Sequence, residues 1–435
     1  MKRFIKYTSL SAALIVLWTV MIFLGTDQGW WHTPFTEQKE STKFIASVHK
    51  ELKKEFVGNM AMAIFKDGAP VTESFHSKNT SVNRNTVFQV ASLSKFVSTI
   101  GVMRLVQEGK LDLDVPVSNY LKRWELPPSS FDNNKVTVRR LLSHTAGLTD
   151  GLGYSGFENL KDVQSLESSL TKAKDADQGR NGSTQVGILP GSEWRYSGGG
   201  FTLLQLIVEE VSRQSFDQYM RIEIFEPLGM QSSFYQWDEK FRNKLCDFYN
   251  ADGSKAPHFY YTSLAATSLY TTLTDLEKLF ALFNIEKSTL KPLQPKYQRM
   301  MWQAEANKLG APIYGLGTFL FAEIDNGQFI IGHDGQSNPP INTAFRYNPT
   351  NGDGIIILTT GNSDFATRIA SDWVFLNTGK VDTLLFAMQQ NKMVSNVIIG
   401  SVVIILLIIT ISLSRKYYKR KVTHKHKIIS TSNAI

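Results

Sequence analysis

One cysteine in 435 residues, Cys246, excludes an internal disulfide framework, a cysteine zinc cluster and an iron-sulfur centre, so stability must come from packing. Acidic residues are missing from both ends of the chain. Residues 1–26 carry Lys2, Arg3 and Lys6 without a single Asp or Glu, and residues 394–435 carry seven Lys or Arg, again with none. Once these ten cations are set aside, the formal charge of +8 disappears: 37 basic against 39 acidic residues leave the body between 27 and 393 at −2. The basic balance is an end effect and no argument for a nucleic-acid partner. No internal repeat is found. With 42% apolar and 20% charged residues, the body lies outside the disordered range and can bury a sizeable core.

Charge is also absent from two long runs. Tyr7 to Leu24 is uncharged over 18 residues and follows three cations, the pattern of a signal peptide or an uncleaved signal anchor. No small-x-small cleavage site follows, and Trp30 and Trp31 stand where an interfacial belt belongs, which favours the anchor. Val394 to Ser414 is the second run, ended by Arg415, Lys416, Lys419, Arg420 and Lys421. Its bilayer-matched length and one-sided basic flank read as a membrane span rather than a buried core helix. By the positive-inside rule both chain ends face the cytoplasm and residues 27–393 face out. His424 and His426 are read as part of a solvated basic tail, not as metal ligands.

In the outer region, a charged helical stretch from about Glu40 to Phe56 precedes two strands, Ala61 to Phe65 and Val71 to Phe75, joined at Lys66-Asp67-Gly68. Leu93, Phe96, Val97, Ile100, Met103 and Val106 recur at helical spacing, and Gly109 stands where that helix should stop. From Asp112 to about Pro257 the pattern is short helices and polar loops. Strand signals return at 328–331, 343–347 and 354–360, followed by a helix near 366–376. Early and late strands flanked by terminal helices predict one sheet built from both ends of the chain, with a mainly helical lobe inserted at about 112–257.

A serine becomes a nucleophile when a neighbour takes its proton, and a lysine three residues later on a helix is one turn away on the same face. Ser-x-x-Lys occurs four times, at Ser47 to Lys50, Ser92 to Lys95, Ser169 to Lys172 and Ser288 to Lys291. Ser47 lies in a charged helix, and Ser169 and Ser288 lie in polar stretches with no apolar wall to depress a lysine pKa. Ser92 alone follows a strand-like segment, Val87 to Val90, and opens a helix with a buried face. Its N–H is free to meet an oxyanion, and desolvation beside Leu93 and Phe96 favours a neutral, basic Lys95.

In these residues the sequence resembles the serine beta-lactamase and penicillin-binding protein-like family, in its class C and D-alanyl-D-alanine carboxypeptidase branch. The resemblance covers about residues 45–378. It rests on FQVASLSK from Phe88 to Lys95, LVQEGKLDLD from Leu105 to Asp114, LLSHTAGL from Leu141 to Leu148, PGSEWRYSG from Pro190 to Gly198, and GHDG from Gly332 to Gly335. It implies an α/β (α+β) transpeptidase-like fold, an antiparallel sheet flanked by helices with an inserted helical lobe. It also implies an acyl-enzyme in which Ser92 attacks, Lys95 and Tyr196 share proton transfer, and His333 replaces the lysine of the third motif. Which of Lys95 and Tyr196 is the base stays open, since a phenol of pKa ~10 needs a cation to serve as one. The N–H groups of Ser92 and Gln336 are the implied oxyanion hole, Ser197, Gly198, His333, Asp334 and Gly335 are the implied substrate-binding residues, His144 braces a loop, and no metal or organic cofactor is called for.

The chain departs from the family pattern at three positions. Tyr196-Ser197-Gly198 lacks the asparagine of Tyr-x-Asn, so the amide that grips a substrate carbonyl is missing at Gly198. His333-Asp334-Gly335 stands in place of Lys-Thr-Gly, replacing a permanent cation by a group with an ordinary pKa of ~6.5 and making efficient beta-lactamase activity less expected. A cleft-facing Asp334 would repel a substrate carboxylate and favour esters or ammonium substrates such as D-alanyl esters of wall polymers, whereas strand alternation could turn it away. The expected organisation is an anchor at 1–26, a serine hydrolase domain at 40–380, a span at 394–414 and a basic cytoplasmic tail at 415–435. The expected function is a membrane-anchored, outward-facing hydrolase of D-amino-acid wall peptides or esters. A promiscuous esterase, a weak beta-lactamase, a prodrug-maturation peptidase and a non-catalytic penicillin-binding-like receptor are the competing readings.

Overall fold

The computed structural model describes residues 2–432 apart from 152, 285–291 and 326. The chain forms two units, Pro34–Thr378 and a terminal unit made of the residues up to Thr33 with those from Gly379 onward. In the terminal unit, the N-terminal helix Lys2–Asp27 packs along the C-terminal helix Gln390–Ser432. Trp18 Nε1 donates to Asn396 O at 3.1 Å, and a Cβ at Gly400 would fall 2.0 Å from that indole nitrogen, so glycine permits the close approach. Both helices are long and apolar enough to cross a membrane, over Tyr7–Asp27 and Gln390–Lys421. The C-terminal helix runs on through the basic residues, so the boundary expected at Arg415 is a change of polarity, not of conformation. The side chains of His424 and His426 lie outside the described part of the structure.

In the larger unit, α1 (Ser41–Glu55) leads into a hairpin of β1 (Met60–Lys66) and β2 (Ala69–His76), turned at Asp67 and Gly68, both with positive φ. The helix α2 (Leu93–Gln107) follows, nearly every residue of it buried, so it is enclosed on more than the one face that its apolar spacing predicts. After α3 (Gly198–Ser212) and α4 (Leu273–Phe283) come β3 (Ala306–Lys308), β4 (Ala311–Tyr314), β5 (Phe319–Glu323), β6 (Phe329–Ser337), β7 (Ile341–Tyr347) and β8 (Gly354–Thr360), then α5 (Phe365–Thr378). One antiparallel sheet of eight strands results, in the order β2-β1-β8-β7-β6-β5-β4-β3. β1 pairs with β8, Met60 opposite Thr359, so the sheet is built from both ends of the chain as the pattern of early and late strands predicts.

Both faces of the sheet are covered. On one lie α1 and α5, tied by Phe35, whose N–H donates to Asp372 Oδ2 at 2.9 Å while its ring meets Phe44 edge-on. On the other, Phe280 of α4 stacks on Phe65 of β1 at 3.8 Å, and Phe96 of α2 packs on Phe345 of β7. Between α2 and α4, short helices and loops pack around α3 to form the inserted lobe. The sequence reading missed β3, β4 and β5, and its apolar strand signal covers only the start of β6, up to Ile331. Phe65 and Phe280 are both fully buried, so Phe280→Ala is expected to lower the unfolding free energy by about 3–5 kcal/mol, read from denaturant unfolding of the detergent-solubilised chain.

Candidate active site

The segment Phe88–Gln89 pairs with Tyr270–Thr271, and the chain then turns sharply into α2. The turn is made at Ala91, whose φ of +47° is uncommon for a residue with a Cβ and costs about 1–2 kcal/mol. Ser94 braces it, accepting from Leu269 N at 2.9 Å through the Oγ that itself donates to Ala91 O. Ser92 therefore stands at the helix tip. Serine at that position ordinarily spends its hydroxyl on capping, yet Ser92 makes no side-chain cap bond, and its Oγ lies 3.2 Å from Lys95 Nζ. No backbone acceptor among the described residues engages the Ser92 N–H.

Lys95 is only 1% exposed. Its Nζ donates to Ala266 O at 2.8 Å and lies 5.0 Å from the Tyr196 ring and 5.7 Å from that of Phe201. Burial pulls its pKa down to about 7, against the opposing field of Asp150. Tyr196 moves the other way: burial raises its phenol, with the hydrogen bond to Ser92 pulling back and the Asp334 charge adding to the rise. At neutral pH the site thus holds an amine that is about half deprotonated and an uncharged phenol on either side of one hydroxyl.

The loop carrying Tyr196 is held by groups already visible in the sequence. His144, itself at φ +58° and 2% exposed, stacks 4.3 Å from the Tyr196 ring and accepts the Ser197 N–H at Nδ1, 3.0 Å away. Burial, then Lys95 and His333, keep His144 neutral. The expectation that Ser197 serves substrate is corrected by its bonds. Its Oγ donates to Asp150 Oδ1 and caps α3 by accepting from Gly200 N at 2.8 Å, leaving no hydroxyl turned to the cleft. Gly198 is the first residue of α3 and presents no side chain.

Strand alternation sorts the third motif. Gly335 lies against the turn before Ser92, for a Cβ there would fall 2.0 Å from Val90 O, and its partner Thr343 donates to that same oxygen at 2.9 Å. His333 shares this face. It is 1% exposed, with Nδ1 at 2.6 Å from Asp334 O, Nε2 at 3.1 Å from Tyr314 Oη, and the Phe319 ring edge-on. Burial first, then Lys95 and Arg346, push its pKa down to about 3, so the expectation of a group titrating near its ordinary value is overturned. Asp334 points to the opposite face, where Arg346, wholly buried, donates to Oδ1 and, at 3.3 Å, to Oδ2, and Thr367 of α5 donates to Oδ2 at 2.7 Å. A cleft-facing Asp334 is thereby ruled out, and with it a role for that carboxylate in holding substrate. Gln336 is exposed and its side-chain amide donates to Ser363 O at 2.9 Å, leaving only its backbone for the oxyanion role.

Of the other Ser-x-x-Lys pairs, Ser47 bonds to Thr36 and Lys43 O; Ser169 is buried, contrary to its polar surroundings in sequence, while Lys172 is exposed; Ser288 to Lys291 lies outside the described residues. Asp150, Tyr314, Phe319 and Arg346 were missed, since only the fold brings them to the motifs. A cavity of about 510 Å³ near Trp302, Phe329 and Tyr347 contains none of the candidate residues.

The beta-lactamase family pattern matches residues 46–376, and the chain belongs to that family. It is similar to the protein flp of Staphylococcus aureus (strain COL), 23% identical over 369 residues that cover 81% of this chain and 70% of that one. Among solved structures, an octameric penicillin-binding protein homologue from Pyrococcus abyssi aligns with a TM-score of 0.65 at 24% identity, over 79% of this chain and 78% of the other. EstCE1, a hydrolase with promiscuous acyltransferase activity, aligns at 0.58 and 20% identity, over 76% and 98%. At these identities the two structures speak to the fold alone.

Arg346→Met would leave Asp334 buried without its cation, and is expected to cost about 3–5 kcal/mol of stability, whereas Arg346→Met with Asp334→Leu recovers most of it; denaturant unfolding of both variants checks this.

Proposed function

We propose that the chain is a membrane-anchored, outward-facing serine hydrolase that forms an acyl-enzyme on Ser92 and acts on D-amino-acid-containing wall material or related esters. The observation that carries this reading is a hydroxyl left uncapped at a helix tip, 3.2 Å from a buried lysine amine. Neutral Lys95 takes the Ser92 proton as Oγ bonds to the acyl carbon, and the carbonyl oxygen takes up negative charge, met by the N–H groups of Ser92 and Gln336. As the tetrahedral centre collapses, the bond to the leaving group breaks and that group receives a proton from Tyr196, which Lys95 replenishes. Water then attacks the acyl carbon with its proton passing to the same pair, and Ser92 is released. Tyr196 is the donor and Lys95 the base in this scheme, because burial disfavours phenolate and ammonium alike. The similarity to penicillin-binding protein homologues supports a wall substrate, and the two apolar helices with basic flanks support the anchoring and orientation.

A fluorophosphonate, which carries no carboxylate, should label the wild-type protein and not Ser92→Ala; labelling that persists in the variant removes Ser92 from the reaction, and failure of every acylating probe on folded protein favours a non-catalytic receptor. The pH dependence follows from the sign of the Lys95 shift. Its active form is the deprotonated one, so acylation should rise with pH through about 7 and then level, whereas a tyrosinate base would still be gaining near ~10. Lys95→Met should slow acylation by about 10²- to 10⁴-fold, measured with the same probes.

A further inference from the structure

The acyl-enzyme reading leaves the substrate class open, and the third motif narrows it. Recognition of a carboxylate calls for a cation or several converging donors. The residues where the family carries its lysine and hydroxyl offer neither to the cleft. His333 holds both ring nitrogens against protein oxygens, Asp334 O and Tyr314 Oη, at 1% exposure. The guanidinium of Arg346, on the strand paired with His333, is turned to the far face, closed in by the Asp334 carboxylate and lying 3.4 Å from the centroid of the Phe321 ring. The hydroxyl beside Tyr196 is spent on Asp150 and on the cap of α3.

The charges that reach this group of residues are few. Among the described residues Tyr196 feels Asp334, Lys95 feels Asp150, and His333 feels Lys95 and Arg346. Two of these are buried acids, and Arg346 is neutralised by one of them. Lys95 is losing its charge near neutrality, so above that pH none of the cations in this set presents a lasting charge to an incoming anion. A substrate carboxylate next to the scissile bond would be stripped of water with nothing to replace it.

We infer that this cleft selects acyl substrates with no carboxylate beside the scissile bond, neutral or cationic esters, and rejects peptides and depsipeptides that end in a free acid there. The inference rests on the acyl-enzyme reading above and reaches the ester preference by a different route from a cleft-facing Asp334. The ion pair and the sealed histidine make the cleft uncharged; Asp334 itself does not repel.

The test is a matched series on the detergent-solubilised full chain at pH 8: an N-acyl-D-alanyl-D-lactate as free acid, as primary carboxamide and as methyl ester. The carboxamide has the shape of the carboxylate without its charge. The amide and the methyl ester should be turned over with similar kcat/KM, each at least tenfold above the acid, and all turnover should vanish in Ser92→Ala. Ser92-dependent turnover of the acid equal to or better than the amide overturns the inference while the acyl-enzyme reading stands. An amide as poor as the acid also overturns it, since shape and not charge would then decide. No turnover of any member, or turnover that persists in Ser92→Ala, overturns the inference together with the reading beneath it.

Discussion

An ammonium group sealed from water with no carboxylate in contact tends to give up its proton, and the arrangement around Ser92 depends on that constraint acting on Lys95. Its Nζ has a serine hydroxyl and one carbonyl within hydrogen-bond reach, and aromatic faces beyond. Asp150 would restore the charge if it could approach, but its carboxylate is occupied by the Ser197 hydroxyl and the Gly199 N–H at the start of α3. Burial outweighs its field, and the pKa of the amine falls to about 7, where it can serve in the base role proposed for it. The all-round burial of α2 thus has a chemical consequence as well as a packing one. A helix with a wet face would expose Lys95 one turn from its tip and keep it protonated.

The geometry at the tip is held from several sides. Ala91 is in a left-handed conformation that L residues avoid, and the cost is offset by the neighbours that fix it. Leu269 N and Ala91 O both bond to Ser94 Oγ, Val90 N donates to Leu269 O, and Thr343 Oγ1 reaches Val90 O from the sheet. The second serine of the Ser-Leu-Ser-Lys run is therefore the clamp of the turn, and the hydroxyl of the first makes no cap bond to the helix. Gly335 completes the fit, being the residue whose missing Cβ lets β6 lie against Val90.

How much of this was legible in the sequence follows from what each signal depends on. Local chemistry was readable: the turn at Asp67-Gly68, the stop at Gly109, the apolar spacing of α2 and the strands β7 and β8 all announce themselves within a few residues. Burial at the ends of the Ser-x-x-Lys motif was readable too, because Leu93 and Phe96 flank it. The strands β3 to β5 were not, since the first has three residues, the next contains Pro312, and Gly315 and Gly317 before the third read as loop. Without them Tyr314 and Phe319 have no place beside His333, and the histidine reads as an exposed strand residue rather than a sealed one. Asp334 shows the same limit. Alternation says that it and His333 face opposite ways, but which face meets Ser92 depends on Arg346 and Thr367, twelve and 33 residues away in the chain.

The neutral third motif and the neutral lysine are linked by one electrostatic argument. A fixed cation at position 333 would lower the Lys95 pKa by repulsion, so a site holding one could leave its lysine in a wetter place and still obtain a base. Here His333 is uncharged through the physiological range, and the guanidinium of Arg346 is cancelled by Asp334 on the far side of the strand. Repulsion supplies little, and desolvation has to supply the shift. The tight enclosure of Lys95 and the lack of an anion-binding charge are then two results of the same substitution at the third motif. Relaxing either would disturb the other: water admitted to the lysine removes the base, and a cation admitted to the cleft changes both what binds and how strongly the lysine holds its proton.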